Sequence, residues 1–360
     1  MEDRIKKRVC RAIHENIFPG CVVGVVRRDG ERIVLPFGKF RYEENALAIK
    51  DDSIFDVASI TKAIPTALSA LYCIEEGRLH AETRVIDLLP EVHNASRDDI
   101  RVRHLLTQTV GYGEEFRLSS LRDKSPEEIL QAIFFAPLRY APGEYFLYTN
   151  TASVLLGLLV ERVAKETLSD FADKIFFKPL SMARTKFKPL DSFLKEEIVP
   201  TEVCKWRGGE VQGEVHDESA WKLQKFTLSG YVNFAVGSAG LFSTVPDLLT
   251  ILEMLLSGGE YRGRRYFSED AVAGMYQNHL YGIGESHGLG WELCNRRWMG
   301  DACGARTFGK TGFTGCSVMC DPDKGVGLVI LSNYTYPKRK PDSSLINEFR
   351  RDVADIVFGE

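Results

Sequence analysis

The chain has 360 residues, enough to bury a large core and to fold as two lobes. Apolar residues make up 44% and charged residues 27%, an ordinary balance for a soluble globular protein, and the formal net charge of −4 argues against a general nucleic-acid binder. No apolar run approaches the roughly 18 residues that a membrane-spanning helix needs, and neither CxxC nor paired-His spacing appears, so no membrane partner, metal or cofactor is expected.

The N-terminus is charged and reads straight into an amphipathic helix over residues 4–16, with Ile5, Val9, Ala12 and Ile13 on one face. It has no signal-peptide apolar region, which predicts a cytoplasmic address. Residues 20–26 and 32–38 read as two strands around the turn Asp29-Gly30. A helical pattern covers 66–76, broken at its start by Pro65, which removes a helical hydrogen bond and predicts a distorted first turn. Further helical stretches cover 126–135, 151–165, 168–177 and 246–257. Residues 315–320 and 326–331 form a second strand pair around 321–325, and a last helix covers 343–358.

Both chain ends thus carry a hairpin and a helix. The simplest architecture is α+β: one antiparallel sheet built from both ends and flanked by helices, formed by residues 1–65 and 236–360, with a mainly helical lobe inserted over 66–235. Eight cysteines are scattered along the chain and read as reduced and structural; Cys10, Cys21, Cys73 and Cys294 have apolar neighbours, while Cys316 and Cys320 share one strand face.

Chemistry concentrates in three places. Ser59-Ile60-Thr61-Lys62 puts a hydroxyl and an amine three residues apart at a helix start, on one helix face. A serine hydroxyl is a weak nucleophile until a base takes its proton, and a buried lysine of lowered pKa can act as that base. Tyr148-Thr149-Asn150 precedes an apolar helix, and Lys310-Thr311-Gly312 precedes a strand. Tyr148 can serve as acid and base if nearby ammonium groups lower its pKa. Lys62 and Lys310 are the cations, Asn150 can orient Lys62 or a substrate amide, and the backbone N–H groups of Ser59 and Phe313 can form an oxyanion hole.

In order and content these three motifs resemble the serine β-lactamase and penicillin-binding-protein superfamily, and the Tyr-x-Asn element resembles its class C β-lactamase, D-peptidase and esterase branch. Matching stretches extend from about Phe18 to Asn333 and include residues 55–62, 103–111 and 240–244. The resemblance implies that Ser59 is acylated with help from Lys62 and Tyr148, and that Lys310 and Thr311 help bind a substrate carboxylate. It also marks Val215-His216-Asp217-Glu218 as a pocket-rim loop, with His216 facing substrate. A serine hydrolase acting on a small ester, amide or D-amino-acid peptide follows.

Three other readings compete with this one. Ser192-Phe193-Leu194-Lys195 repeats the Ser-Lys spacing and even has a later Tyr231-Val232-Asn233, but no apolar helix follows to bury its lysine. Residues 304–311 fit the phosphate-loop pattern GxxxxGK[ST] letter for letter, yet the sequence after them is strand-like where that motif requires a helix, so nucleotide binding is rejected. The remaining alternative is a non-catalytic binding or self-assembling scaffold. Asn347 and Arg350 share a face of the last helix and read as solvated.

Overall fold

The computed structural model describes residues 1–93, 97–114, 116–225 and 235–360. Six strands form one antiparallel sheet: β1 (Gly20–Arg27), β2 (Arg32–Gly38), β3 (Glu292–Leu293), β4 (Phe308–Thr311), β5 (Ser317–Asp321) and β6 (Val326–Ser332). Their order is β3-β4-β5-β6-β1-β2, so the C-terminal hairpin joins the N-terminal one, with Val23 opposite Ile330. The sheet is the antiparallel one expected from both chain ends.

Period-two alternation decides which side each strand residue feeds. Cys21, Val23, Val25, Met319, Leu328 and Ile330 pack against helices α1 (Glu2–His14) and Ser344–Phe358. Val22, Val26, Val318, Cys320, Val329 and Leu331 pack on the other side, against helix Val245–Leu256 and the larger core. That helix sits very close to the sheet: a Cβ on Gly24 would lie 2.1 Å from Val245 Cγ1. Glycine at this position is what admits the helix.

Two further features place the chain near Ser59. Phe55–Asp56 pairs antiparallel with Leu241–Ser243, which also pairs with Lys186–Phe187. Pro65 divides the following helix as expected: a tight 3-10 turn covers Ala58–Lys62, Ile64 is non-helical (φ −117°, ψ 111°) before a cis Ile64–Pro65 bond, and the regular helix starts at Leu68 and runs to Glu75. The phosphate-loop look-alike runs into strand β4, then a turn and strand β5, with no helix to receive a phosphate. Cys10 is exposed on α1 rather than buried among apolar neighbours, because it lies off that helix's Ile5-Val9-Ala12 stripe. Among the described residues no helix is long and apolar enough to cross a membrane.

Candidate active site

The turn that carries Ser59 is held from three sides. Asp56 accepts from Ala58 N–H (2.8 Å) and His216 N–H (2.7 Å) through its side chain, and its carbonyl accepts from the Thr314 hydroxyl (2.7 Å). Val57 N–H donates to Leu241 O (3.1 Å) and Leu241 N–H to Thr61 Oγ1 (3.2 Å). Ala58, just before the serine, sits at φ 47°, a left-handed conformation that non-glycine residues rarely hold. Gly312 packs against this turn so closely that a Cβ would meet Val57 O at 2.4 Å. The Ser59 backbone is therefore fixed before any substrate arrives.

Lys62 is 4% exposed, and its Nζ lies 2.8 Å from both Ser59 Oγ and Ser238 O. Burial pushes its pKa down, helped by Lys310 and opposed by Tyr148. Tyr148 comes from the segment before helix Asn150–Ala164, whose first N–H groups are capped by Thr149. Gln108 pins that segment: it accepts from Leu147 N–H through its carbonyl (3.0 Å) and from Thr149 N–H through its side chain (2.9 Å). Tyr148 is 40% exposed and lines the same cleft as Ser59. Lys62 Nζ and Lys310 Nζ lie 5.2 and 4.3 Å from its ring centroid. Burial raises the phenol's pKa, but the two ammonium groups, with the Ser59 hydroxyl, outweigh it and hold the phenol below its ordinary value.

Lys310 precedes strand β5 as expected, is itself part of strand β4, and is 2% exposed. Its ammonium meets Glu292 Oε1 at 3.1 Å. Burial opposes its charge, yet Glu292 and Tyr148 raise its pKa on balance. Glu292 Oε2 accepts from Trp298 Nε1 (3.1 Å) and Asn295 Nδ2 (3.2 Å). His287 is buried behind these groups. Its Nδ1 lies 2.6 Å from Gly288 O, its Nε2 has no partner, and burial together with the Lys310 charge pushes its pKa down to about 3. The imidazole, neutral and with Nε2 unpartnered, lines a small pocket together with Lys62, Gln108, Ser153 and Lys310.

The remaining sequence candidates fall at different distances from this centre. Ser59, Tyr148, Thr311 and Phe313 all line one cleft of about 1200 Å³, and Phe313 is 56% exposed. Asn150 donates to Asp217 Oδ2 (3.1 Å), which ties the Tyr148 segment to the 215–218 loop. His216 is buried: its Nε2 meets Glu202 at 2.8 Å, and its ring stacks on Phe313 at 5.7 Å. It faces the Phe313 ring instead of open cleft. Glu202, held between His216 and Arg339, has its pKa drawn down to about 2 against the cost of burial. Asn347 and Arg350 are buried, not solvated: Arg350 donates to Asn347 Oδ1 (2.8 Å) and to the carbonyls of Gly312 (2.9 Å) and Cys316 (2.8 Å). Ser192 and Lys195 are both exposed, and Tyr231 and Asn233 lie outside the described residues.

The Beta-lactamase family model matches residues 5–350. The chain belongs to the Beta-lactamase family. A putative D-alanyl-D-alanine carboxypeptidase of Escherichia coli (strain K12) is 27% identical over 323 residues, covering 81% of this chain and 72% of the relative. Among solved structures, the octameric penicillin-binding protein homologue from Pyrococcus abyssi superposes with a TM-score of 0.75 at 21% identity, over 99% of this chain and 77% of that one. EstCE1, a hydrolase with promiscuous acyltransferase activity, gives 0.74 at 21% identity, over 99% and 98%. These structures share the β-lactamase/transpeptidase fold with this chain, and family membership makes the chain a serine hydrolase. Sequence reasoning missed Asp56, Glu292 and His287, which belong to no motif; the only available signal was Asp56 inside the matching stretch 55–62.

Proposed function

We propose that Ser59 is the nucleophile and is acylated by a small ester, amide or D-amino-acid peptide. The observation that carries this is the buried Lys62 Nζ, 2.8 Å from Ser59 Oγ, with its charged form disfavoured by burial. As Ser59 Oγ attacks the carbonyl, its proton passes to the Lys62–Tyr148 pair. The backbone N–H groups of Ser59 and Phe313 hold the oxyanion, and Tyr148 returns the proton to the leaving group. A water activated by the same phenol then releases the acyl group. Lys310, closed off by Glu292, acts mainly through its charge on Tyr148, while Thr311 and Phe313 meet the substrate and His216 buttresses Phe313. Asn150 positions the Tyr148 segment through Asp217. The cleft lies where the proposed inserted lobe, residues 66–235, meets the sheet lobe formed by 1–65 and 236–360.

Incubation with a fluorophosphonate or a labelled penicillin, followed by intact mass and peptide mapping, tests this reading. One adduct on Ser59, absent from a folded Ser59→Ala variant, is expected. An adduct on Ser192, or nitrophenyl-ester turnover by Ser59→Ala at the wild-type rate, overturns it. No adduct and no turnover of a cephalosporin, a short-chain ester, a D-Ala-D-Ala peptide or a D-amino-acid amide would point to the scaffold reading instead.

A further inference from the structure

The eight cysteines are all free, but two are not scattered in space. Cys294 Sγ and Cys303 Sγ lie 3.4 Å apart. Their approach is fixed by the backbone: Cys294 N–H donates to Thr307 O (2.8 Å), and Gly304 N–H donates to Thr307 Oγ1 (2.7 Å). Thr307 is itself anchored to Asp321 Oδ2 (2.7 Å). Cys294 lines the cleft that holds Ser59 and is half-buried, whereas Cys303 is buried behind it. An oxidant arriving through the cleft meets Cys294 first and finds a second thiol in place to resolve it. A disulfide needs sulfurs about 2.05 Å apart, so closure draws this pair together by a further ~1.4 Å.

We infer that Cys294 and Cys303 form a reversible thiol–disulfide site in the wall of the acyl-transfer cleft. With a peroxide as oxidant, Cys294 sulfur attacks one peroxide oxygen, the O–O bond breaks, and the departing hydroxide takes the Cys294 thiol proton and leaves as water, which makes Cys294 a sulfenic acid. Cys303 sulfur then attacks Cys294 sulfur, the S–O bond breaks, and the departing hydroxide takes the Cys303 proton as a second water. Two thiols lose two electrons and the peroxide gains them. The bond closes the loop containing helix Arg296–Met299, and that loop supplies both Asn295 and Trp298 to Glu292 Oε2. Glu292 in turn fixes Lys310 beside Tyr148. Drawing the sulfurs together displaces these donors, so the oxidised enzyme is the slower one. This last link rests on the Ser59 hydrolase reading; the disulfide does not.

The test treats the reduced full-length protein with hydrogen peroxide, then measures intact mass, thiol titration under denaturing conditions and non-reducing peptide maps. A loss of about 2 Da, disappearance of two of the eight thiols, a linked Cys294–Cys303 peptide pair and reversal by dithiothreitol are expected. Cys303→Ser should show none of these and should keep the basal activity of the reduced enzyme. Oxidation should lower kcat/KM of the wild type at least threefold and leave Cys303→Ser unaffected. Retention of both thiols, or accumulation of Cys294 sulfinic acid with Cys303 free, overturns the site. A complete disulfide with unchanged kcat/KM overturns its link to catalysis. An inactive reduced enzyme that still forms the disulfide refutes the hydrolase reading alone.

Discussion

Glu292→Gln is the substitution that most directly probes the electrostatics of the cleft. It keeps size and one carbonyl acceptor for Trp298 or Asn295, but removes the charge opposite Lys310. At the observed 3.1 Å, and at an effective dielectric constant of about 20, the wild-type attraction is on the order of 5 kcal/mol. Breaking one side of a buried pair costs about 3–5 kcal/mol. Glu292 retains 21% side-chain exposure, so water can reach the vacated site, and a loss of about 2–3 kcal/mol in unfolding free energy at pH 7 is expected. The pH dependence separates this from a packing defect. In the wild type the Lys310 pKa is raised, so its stabilising contribution is full below the ordinary lysine value and falls as pH climbs through the folded one. In Glu292→Gln, burial dominates and the pKa drops below the unfolded value. The unfolded chain then binds more protons, and stability rises with pH up to about 10.5. Urea unfolding from pH 7 to 10 reads the slope. A variant whose stability runs parallel to wild type across that range would refute the reasoning, as would kcat/KM within twofold of wild type at pH 7.

Because two cations hold the Tyr148 phenol below its ordinary pKa, kcat/KM should rise with pH on an acid limb as the phenol ionises, and Lys310→Met should move that limb to higher pH; an unmoved limb counts against the assignment. Lys62→Met and Tyr148→Phe should each lower kcat about 100-fold or more, and the double variant should be little worse than either, because both remove one proton transfer; multiplicative losses in single-turnover kinetics would show two independent steps. Arg350→Met should lower unfolding free energy by about 2–4 kcal/mol and raise KM, because the Gly312 and Cys316 carbonyls lose a charged donor and the turn bearing Phe313 loosens. A thermal melt and a KM matching wild type would show that this arginine holds nothing.

What could be read in advance follows a physical division. Ser59 and Lys62 were legible because their relation is local, three residues apart on one turn, and the apolar helix behind them marks Lys62 as buried. Pro65 announced its own distortion. Both hairpins were legible from alternation and turn residues. Glu292 was not, because it lies in a strand only two residues long and matters only through a lysine 18 positions away. Arg350 was misread for a related reason. On the helix pattern alone, a polar pair at i and i+3 reads as a solvated face, but the turn packed against it presents two carbonyls that need donors. Cys294 and Cys303 likewise meet only because both of their backbone neighbourhoods are tied to Thr307.

The same division explains why the three motifs are necessary but not sufficient. The cluster around Tyr148 has two lysines, one carboxylate and one phenol, and the Lys310–Glu292 pair balances itself. That leaves Lys62 and Tyr148 as the pair nearest Ser59. Burial lowers one pKa and the neighbouring cations lower the other, which disfavours ammonium and phenol alike. Neutral amine with phenol, and ammonium with phenolate, carry the same net charge. On the proposed mechanism the site can therefore exchange them without importing charge. In the mechanism we propose, a proton leaving Ser59 Oγ passes to this pair and from it to the leaving group. The motif residues supply the proton's two resting places. Glu292, Gln108 and Asp56, which no motif contains, hold Lys310, the Tyr148 segment and the Ser59 turn in place.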